Sequence, residues 1–228
     1  MSGGDLSHIG FVMDGNATWA SRRSASPMSG YAAGIKVASD VVIASRARHI
    51  KYLTFYAFSS ENWGRPETWI SAFMELMMRF FADGEFIQKI LDAGAKLKMI
   101  GDKSKLSPEL QRIMNECEER SQDNRDILVQ LAVSYGGKDE IVRTAQKMAK
   151  LGIDFTEENI SAHLDTAGIP DPQLIIRTGG KHRLSNFLLW QASYSELYFT
   201  DVLWPDFDDA ELDKAIHEFT KRERTYGR

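Results

Sequence analysis

Three short stretches of this chain carry residue types suited to a phosphorylated ligand. The first is Asp14-Gly15-Asn16, directly after the apolar run Ile9-Gly10-Phe11-Val12-Met13. A strand-terminal Asp followed by Gly can offer carboxylate oxygen to a hard cation while neighbouring backbone N–H groups face a phosphate. The same residues also read as an Asx-turn leading into a helix, and spacing alone leaves both readings open. The second stretch is Arg177-Thr178-Gly179-Gly180-Lys181-His182-Arg183-Leu184-Ser185. Two arginines around a glycine turn, with a serine hydroxyl and a helix start expected near Ser185, suit a diphosphate cradle of guanidinium and helix N-terminal donors. Solvated or acid-paired basic residues give the same pattern. The third runs from Tyr56 to Pro66 and precedes Phe73, Met74, Leu76, Met77, Met78, Phe80 and Phe81. Polar groups at the mouth of a Met/Phe-lined cleft suit a charged head with a hydrocarbon tail, although such a stripe also builds ordinary core. The five histidines are scattered without metal-ligand spacing, so none is assigned to a metal.

What could position these groups is a series of βα units. Strands are expected at Ile9–Met13, Tyr52–Ala57, Leu97–Ile100, Leu128–Val133, Leu174–Ile176 and Glu196–Phe199. Helical spacing covers Ala32–Arg48, Thr68–Ala93, Lys138–Lys150, Glu157–Leu164 and Ala210–Arg222, with a further helix starting at Ser107-Pro108. Ser21–Gly30 reads as a mobile loop. This alternation predicts one α/β domain over residues 1–228, and ligands of such sheets bind beyond the carboxyl ends of the strands.

Composition narrows the function class. A net charge of −4 at pH 7 argues against a nucleic-acid surface. The single cysteine, Cys117, leaves neither an intrachain disulfide nor a multi-thiolate zinc site, which makes a cytoplasmic location the expectation. The amino-terminal MSGGDLSHIGFVMD lacks secretory-signal character, and no apolar run is long enough to span a membrane.

Taken together, HIGFVMDGN, TFYAFSSENWGRP, VSYGGKDEIV and LIIRTGGKHRLSNFLLWQASYSELYFTDVLWPDF resemble the cis-prenyltransferase family, which includes undecaprenyl and dehydrodolichyl diphosphate synthases. The resemblance implies a homodimer whose central sheet of about six parallel strands is surrounded by helices, with an apolar tunnel opening on two prenyl diphosphate sites. It implies Mg²⁺ as cofactor, with Asp14 as the metal-binding aspartate and Glu196 as a glutamate near the metal. Gly15, Asn16, Ala17, Thr18, Trp19 and Tyr31 fall in the allylic-diphosphate region. Arg177, Arg183, Leu184 and Ser185 match the pocket for the second diphosphate. Ser59, Ser60, Glu61, Asn62, Trp63 and Arg65 match the reacting centre, where Asn62 takes the position of a residue proposed to assist proton removal.

The chain departs from the family pattern at both head-group sites. Thr18 and Pro27 stand where arginines are usual, Tyr31 where a histidine is, Lys181 where a glutamate is common and Ser134 where an asparagine is. Thr225-Tyr226-Gly227 replaces the usual Arg-x-Gly, with Arg224 and Arg228 close by. Arg22 or Arg23 could compensate at the allylic site. These changes lead us to expect head-to-middle coupling of dimethylallyl diphosphate with a second allylic diphosphate, giving a branched or cyclised lavandulyl-type product. Regular cis-elongation with isopentenyl diphosphate, or a non-catalytic partner subunit, are the alternatives. Retention of Asp14 and Glu196 argues against the last.

Overall fold

The apolar runs are spaced so that each can return parallel to the one before, because the intervening segments are long enough for a crossover helix. A computed structural model describes residues 6–82 and 84–222. Its six strands are β1 (His8–Val12), β2 (Tyr52–Ser59), β3 (Ala95–Ile100), β4 (Ile127–Tyr135), β5 (Leu174–Arg177) and β6 (Glu196–Phe199). They form one sheet in the order β3-β4-β2-β1-β5-β6, parallel at every pairing. Strands β1 and β5 are buried throughout, as strands covered on both faces must be.

The helices are α1 (Asn16–Ser21), α2 (Pro27–Ala47), α3 (Glu67–Ala82), α4 (Gly84–Asp92), α5 (Pro108–Arg120), α6 (Gly137–Leu151), α7 (Glu157–His163) and α8 (Asp209–Thr220). Two points differ from expectation. Helix α2 begins inside the segment read as a mobile loop, because Ser26 caps it by accepting from the Ser29 N–H and Pro27 occupies its first position. The apolar segment expected as one helix over Thr68–Ala93 is helical as α3 and α4, which lie on either side of residue 83, outside the described residues. No helix starts at Ser185: Ser185 and Asn186 have φ of 50° and 66°, which lies outside the right-handed helical region. The carboxyl-terminal Thr225-Tyr226-Gly227 and its neighbouring arginines lie outside the described residues.

The topology sets the site. Strands β2, β4 and β3 lie on one side of β1, with β5 and β6 on the other, so the residues following β1 and β5 meet at the point where strand order reverses. Among the described residues, no helix is long and apolar enough to cross a membrane.

Candidate active site

Register pairs Val12 with Arg177, so Asp14 and Thr178, just beyond the two strands, are brought together. The Asp14 N–H donates to Thr178 Oγ1 at 3.0 Å, and that hydroxyl donates to the Asp14 carbonyl at 2.7 Å. Asp14 Oδ1 accepts from the Gly15 N–H at 2.8 Å, one residue on where an Asx-turn would reach two, and Gly15 then caps α1 at φ 105°. The helix of that reading is therefore present, and the carboxylate lies at the surface with its side chain 40% exposed.

Asp14 Oδ2 accepts from Arg177 Nη2 at 2.8 Å. Arg177 Nη1 donates to the Arg183 carbonyl at 2.5 Å and to Ser185 Oγ at 2.7 Å, and Arg183 Nε reaches the same hydroxyl at 3.3 Å. Arg177 is buried, yet its Nε has no partner among the described residues. A buried guanidinium with an orphan donor is costly in a finished interior and suits a centre that still accepts an anion. The donors are thus guanidinium groups and a hydroxyl, without the helix N-terminus expected at Ser185.

The reacting-centre segment follows β2 as a short 3₁₀ turn over Ser60–Gly64. It is closed by a capping box in which the Ser59 N–H donates to Asn62 Oδ1 at 3.1 Å. Ser60 Oγ donates to Glu61 Oε2 at 3.2 Å, and Trp63 Nε1–H donates to Ser134 Oγ at 2.9 Å. Ser134, with φ of 52°, is another strained backbone position. Arg65 lies over the Trp69 ring with its guanidinium carbon 4.2 Å from the centroid, and its side chain hydrogen-bonds Tyr31. Burial pushes the Tyr31 hydroxyl pKa up against the lowering influence of Arg65, so Tyr31 is neutral at ordinary pH.

Behind these groups lies an apolar cavity of about 110 Å³, lined by Met13, Asn16, Tyr31, Tyr56, Phe73, Met77, Phe80, Phe81 and Trp204 among others. The phenylalanines of α3 thus face the cavity, whereas Met74 and Met78 pack against the core. Asn16 donates from Nδ2 to the Met13 carbonyl, while its buried Oδ1 has no partner among the described residues.

Not every expected residue joins this group. Ala17 and Thr18 are exposed on α1, and Trp19 is tied through Nε1–H to Asp206 Oδ1 at 2.6 Å. Arg23 stacks over Trp19 at 4.0 Å and pairs with Asp206, so it does not replace the missing arginines in this arrangement. Leu184 packs in a small apolar cluster. Glu196 begins β6 opposite Leu174, at the amino end of the sheet, where it pairs with Arg222 at 2.8 Å. At about 3.3 Å per residue it lies a whole strand from the Asp14 edge of the same chain. Conversely, the sequence reading gave no individual role to Thr178 or Asn186, nor to Tyr56, whose hydroxyl lies 3.1 Å from the Tyr135 carbonyl and 3.3 Å from that of Ser185. Thr178 had a signal in its place directly after a site arginine; the other two had none without the fold.

The family model described as "Putative undecaprenyl diphosphate synthase" matches residues 12–227. The chain belongs to this cis-prenyltransferase family. An isoprenyl transferase of Aquifex pyrophilus is 41% identical over 222 residues, covering 97% of this chain and 95% of that protein. The ditrans,polycis-undecaprenyl-diphosphate synthase ((2E,6E)-farnesyl-diphosphate specific) of Pseudomonas aeruginosa is 40% identical over 228 residues, covering 97% and 90%. Among solved structures, lavandulyl diphosphate synthase from Lavandula x intermedia, in complex with dimethylallyl diphosphate, superposes with a TM-score of 0.91 at 33% identity, covering 97% of this chain and 98% of that one. A probable undecaprenyl diphosphate synthase from Campylobacter jejuni gives 0.84 at 34% identity, covering 99% and 100%. This cis-prenyltransferase is therefore an enzyme that transfers prenyl groups from prenyl diphosphates.

Proposed function

We propose that this enzyme joins a short allylic diphosphate to isopentenyl diphosphate by regular cis-elongation. The observation that carries this reading is the juxtaposition of a carboxylate–guanidinium–hydroxyl cluster, Asp14 with Arg177 and Ser185, and an apolar cavity at one sheet edge. The named relatives at 40–41% identity favour elongation over the head-to-middle coupling expected from the altered allylic loop. That second reading keeps one specific support, the 0.91 superposition on lavandulyl diphosphate synthase.

In this reading Arg177, Arg183 and Ser185 hold the second substrate's diphosphate. The allylic diphosphate lies across Gly15, Asn16 and Arg65, with its tail in the cavity. Magnesium fits the donor set, because it is commonly held through one or two carboxylates plus substrate phosphates, and Asp14 offers one partly exposed carboxylate. When bound it would neutralise charge developing on the departing diphosphate. The Arg65 guanidinium stabilises the same charge, while Phe73, Tyr31 and the cavity wall keep water from the allylic carbon. Asn62, oriented by its bond from Ser59, stands beside the position where a proton leaves the new chain.

An apolar cavity of about 150 Å³ holds one benzene-sized group, so the space here suits roughly one prenyl unit before side chains move. We accordingly assign a short primer and product. The enzyme works as a homodimer in this reading, as the family resemblance implies. The test is incubation with Mg²⁺ and dimethylallyl diphosphate alone, then with isopentenyl diphosphate, followed by mass spectrometry of dephosphorylated products. Linear cis products that require isopentenyl diphosphate support elongation; a ten-carbon branched product from dimethylallyl diphosphate alone overturns it in favour of head-to-middle coupling.

A further inference from the structure

The Gly136-Gly137 pair follows β4 and opens α6, and the reaction outlined above gives it no task. A helix starting at Gly137 presents unsatisfied N–H groups, and its cap residue, Gly136, has no side chain to accept from them. Both acceptors come instead from Asn186, across the chain. The Gly137 N–H donates to the Asn186 carbonyl at 2.7 Å, and the Lys138 N–H donates to Asn186 Oδ1 at 2.9 Å. The other end of the same amide, Nδ2, donates to Glu61 Oε1 at 2.6 Å. Reversing the amide would set donor against donor and oxygen against carboxylate, so its orientation is fixed by its partners. A Cβ on Gly136 would stand 2.3 Å from Ser60 Oγ and 2.7 Å from Asn186 Nδ2, and only glycine leaves that space.

Asn186 thus touches three segments at once: the diphosphate loop it belongs to, the helix behind it and the reacting-centre turn. Its neighbour Ser185 supplies the hydroxyl held by Arg177. The left-handed φ values of Ser185, Asn186 and Leu188 are conformations that persist where surrounding contacts over-determine them. We propose that Asn186 is a positioning residue that fixes the Arg183–Ser185 diphosphate loop against the Glu61–Asn62 turn, with the α6 N-terminus as anchor. The inference rests on the function proposed above. Burial would push the Glu61 carboxyl pKa up, but hydrogen bonds from Asn186, its own N–H, Ser59 and Ser60 outweigh this and leave it lowered, so Glu61 is the anionic partner that Asn186 requires.

A double-mutant cycle on the full chain tests this. Asn186→Asp tolerates the same backbone and keeps an oxygen for the Lys138 N–H, but places a carboxylate against Glu61. Combined with Glu61→Gln, whose amide can donate to it, the contact is restored. We expect N186D to weaken Mg²⁺-pyrophosphate binding by calorimetry about tenfold, the scale of one charge-assisted hydrogen bond, and to raise KM for isopentenyl diphosphate to match. In the E61Q background the same change should cost no more than about twofold. Asn186→Gly, which retains the backbone and loses both side-chain bonds, should weaken pyrophosphate binding without the E61Q rescue, and it carries the comparison if N186D does not fold. An N186D penalty of equal size in both backgrounds overturns the proposal, as does a lowered melting temperature with unchanged pyrophosphate affinity. Because pyrophosphate binding is read without turnover, failure to form an isopentenyl-derived product would sink the proposed reaction and leave the cycle to decide Asn186.

Discussion

His8 and Arg177 stand at opposite ends of the paired strands β1 and β5, and both are almost fully buried. His8 is held neutral: Nδ1 meets the Pro170 carbonyl at 2.6 Å and Nε2 meets Thr54 Oγ1 at 2.8 Å, while desolvation lowers its pKa to about 4 against the raising effect of Pro170. The unfolded chain takes up this proton near pH 6.5, the folded one only near 4. The stabilisation is therefore complete above about pH 6.5 and is lost as pH falls toward 4, amounting to about 3 kcal/mol at most. We expect the melting temperature of the wild type to fall across that window and that of His8→Gln to fall less; parallel profiles would refute the assignment. Arg177 belongs to the candidate site instead. Its two Nη atoms bridge Asp14, Ser185 and the Arg183 carbonyl, a fork that a lysine's single ammonium does not reproduce. Arg177→Lys should lower kcat/KM for the second substrate about a hundredfold, equivalent to about 3 kcal/mol, with the main effect in KM. Asp14→Ala should abolish turnover, and steady-state assays read both.

At the scale of elements, the contact between α1 and α2 decides where the allylic loop sits. A Cβ at Gly30 would lie 2.1 Å from the Asn16 carbonyl, and one at Gly34 would lie 2.2 Å from Asn16 Oδ1. The nearest atom at Gly30 is backbone, so α1 must shift to admit even a methyl group. We expect Gly30→Ala to cost about 1–3 kcal/mol of stability and also to raise KM for the allylic substrate, because Asn16 and Asp14 move with α1. A thermal shift without a KM change would show the contact to be structural only. This pair of glycines was invisible in the sequence, since close approach of two helices is a property of their packing. The start of α2 was legible, however: Ser26-Pro27 carries the same cap-and-proline signal that correctly marked α5 at Ser107-Pro108. The surrounding serines and glycine hid it. The false helix start at Ser185 has the opposite cause, a cap-type residue whose φ of 50° is held by the arginine and by Asn186.

At the scale of the whole molecule, the parallel sheet and the edge carrying the candidate ligand groups followed from apolar runs and what stood after them, because parallel strands place all their carboxyl ends together, whereas the strand order came only with the fold. Periodicity could not say which side of α3 faced the cavity, since a stripe of Phe and Met fits either a core or a tunnel. The structure resolves this: Phe73 sits near Tyr31 at the mouth, with ring centroids 5.2 Å apart, while Phe80 and Phe81 lie two helical turns on, about 10 Å further along the axis. In the elongation proposed above, a growing chain entering from the mouth would meet these two rings last. If they set product length, Phe80→Ala should shift the products toward longer prenyl chains with little change in the rate of the first condensation. Phe81→Ala should do the same at a cost of about 3–5 kcal/mol in stability, because Phe81 is 7% exposed and its removal opens a core cavity. Mass spectrometry of dephosphorylated products, paired with thermal melts, separates the two effects. An unchanged product distribution in both variants would show that the cavity's far wall yields to the chain and that termination is governed at the head-group sites.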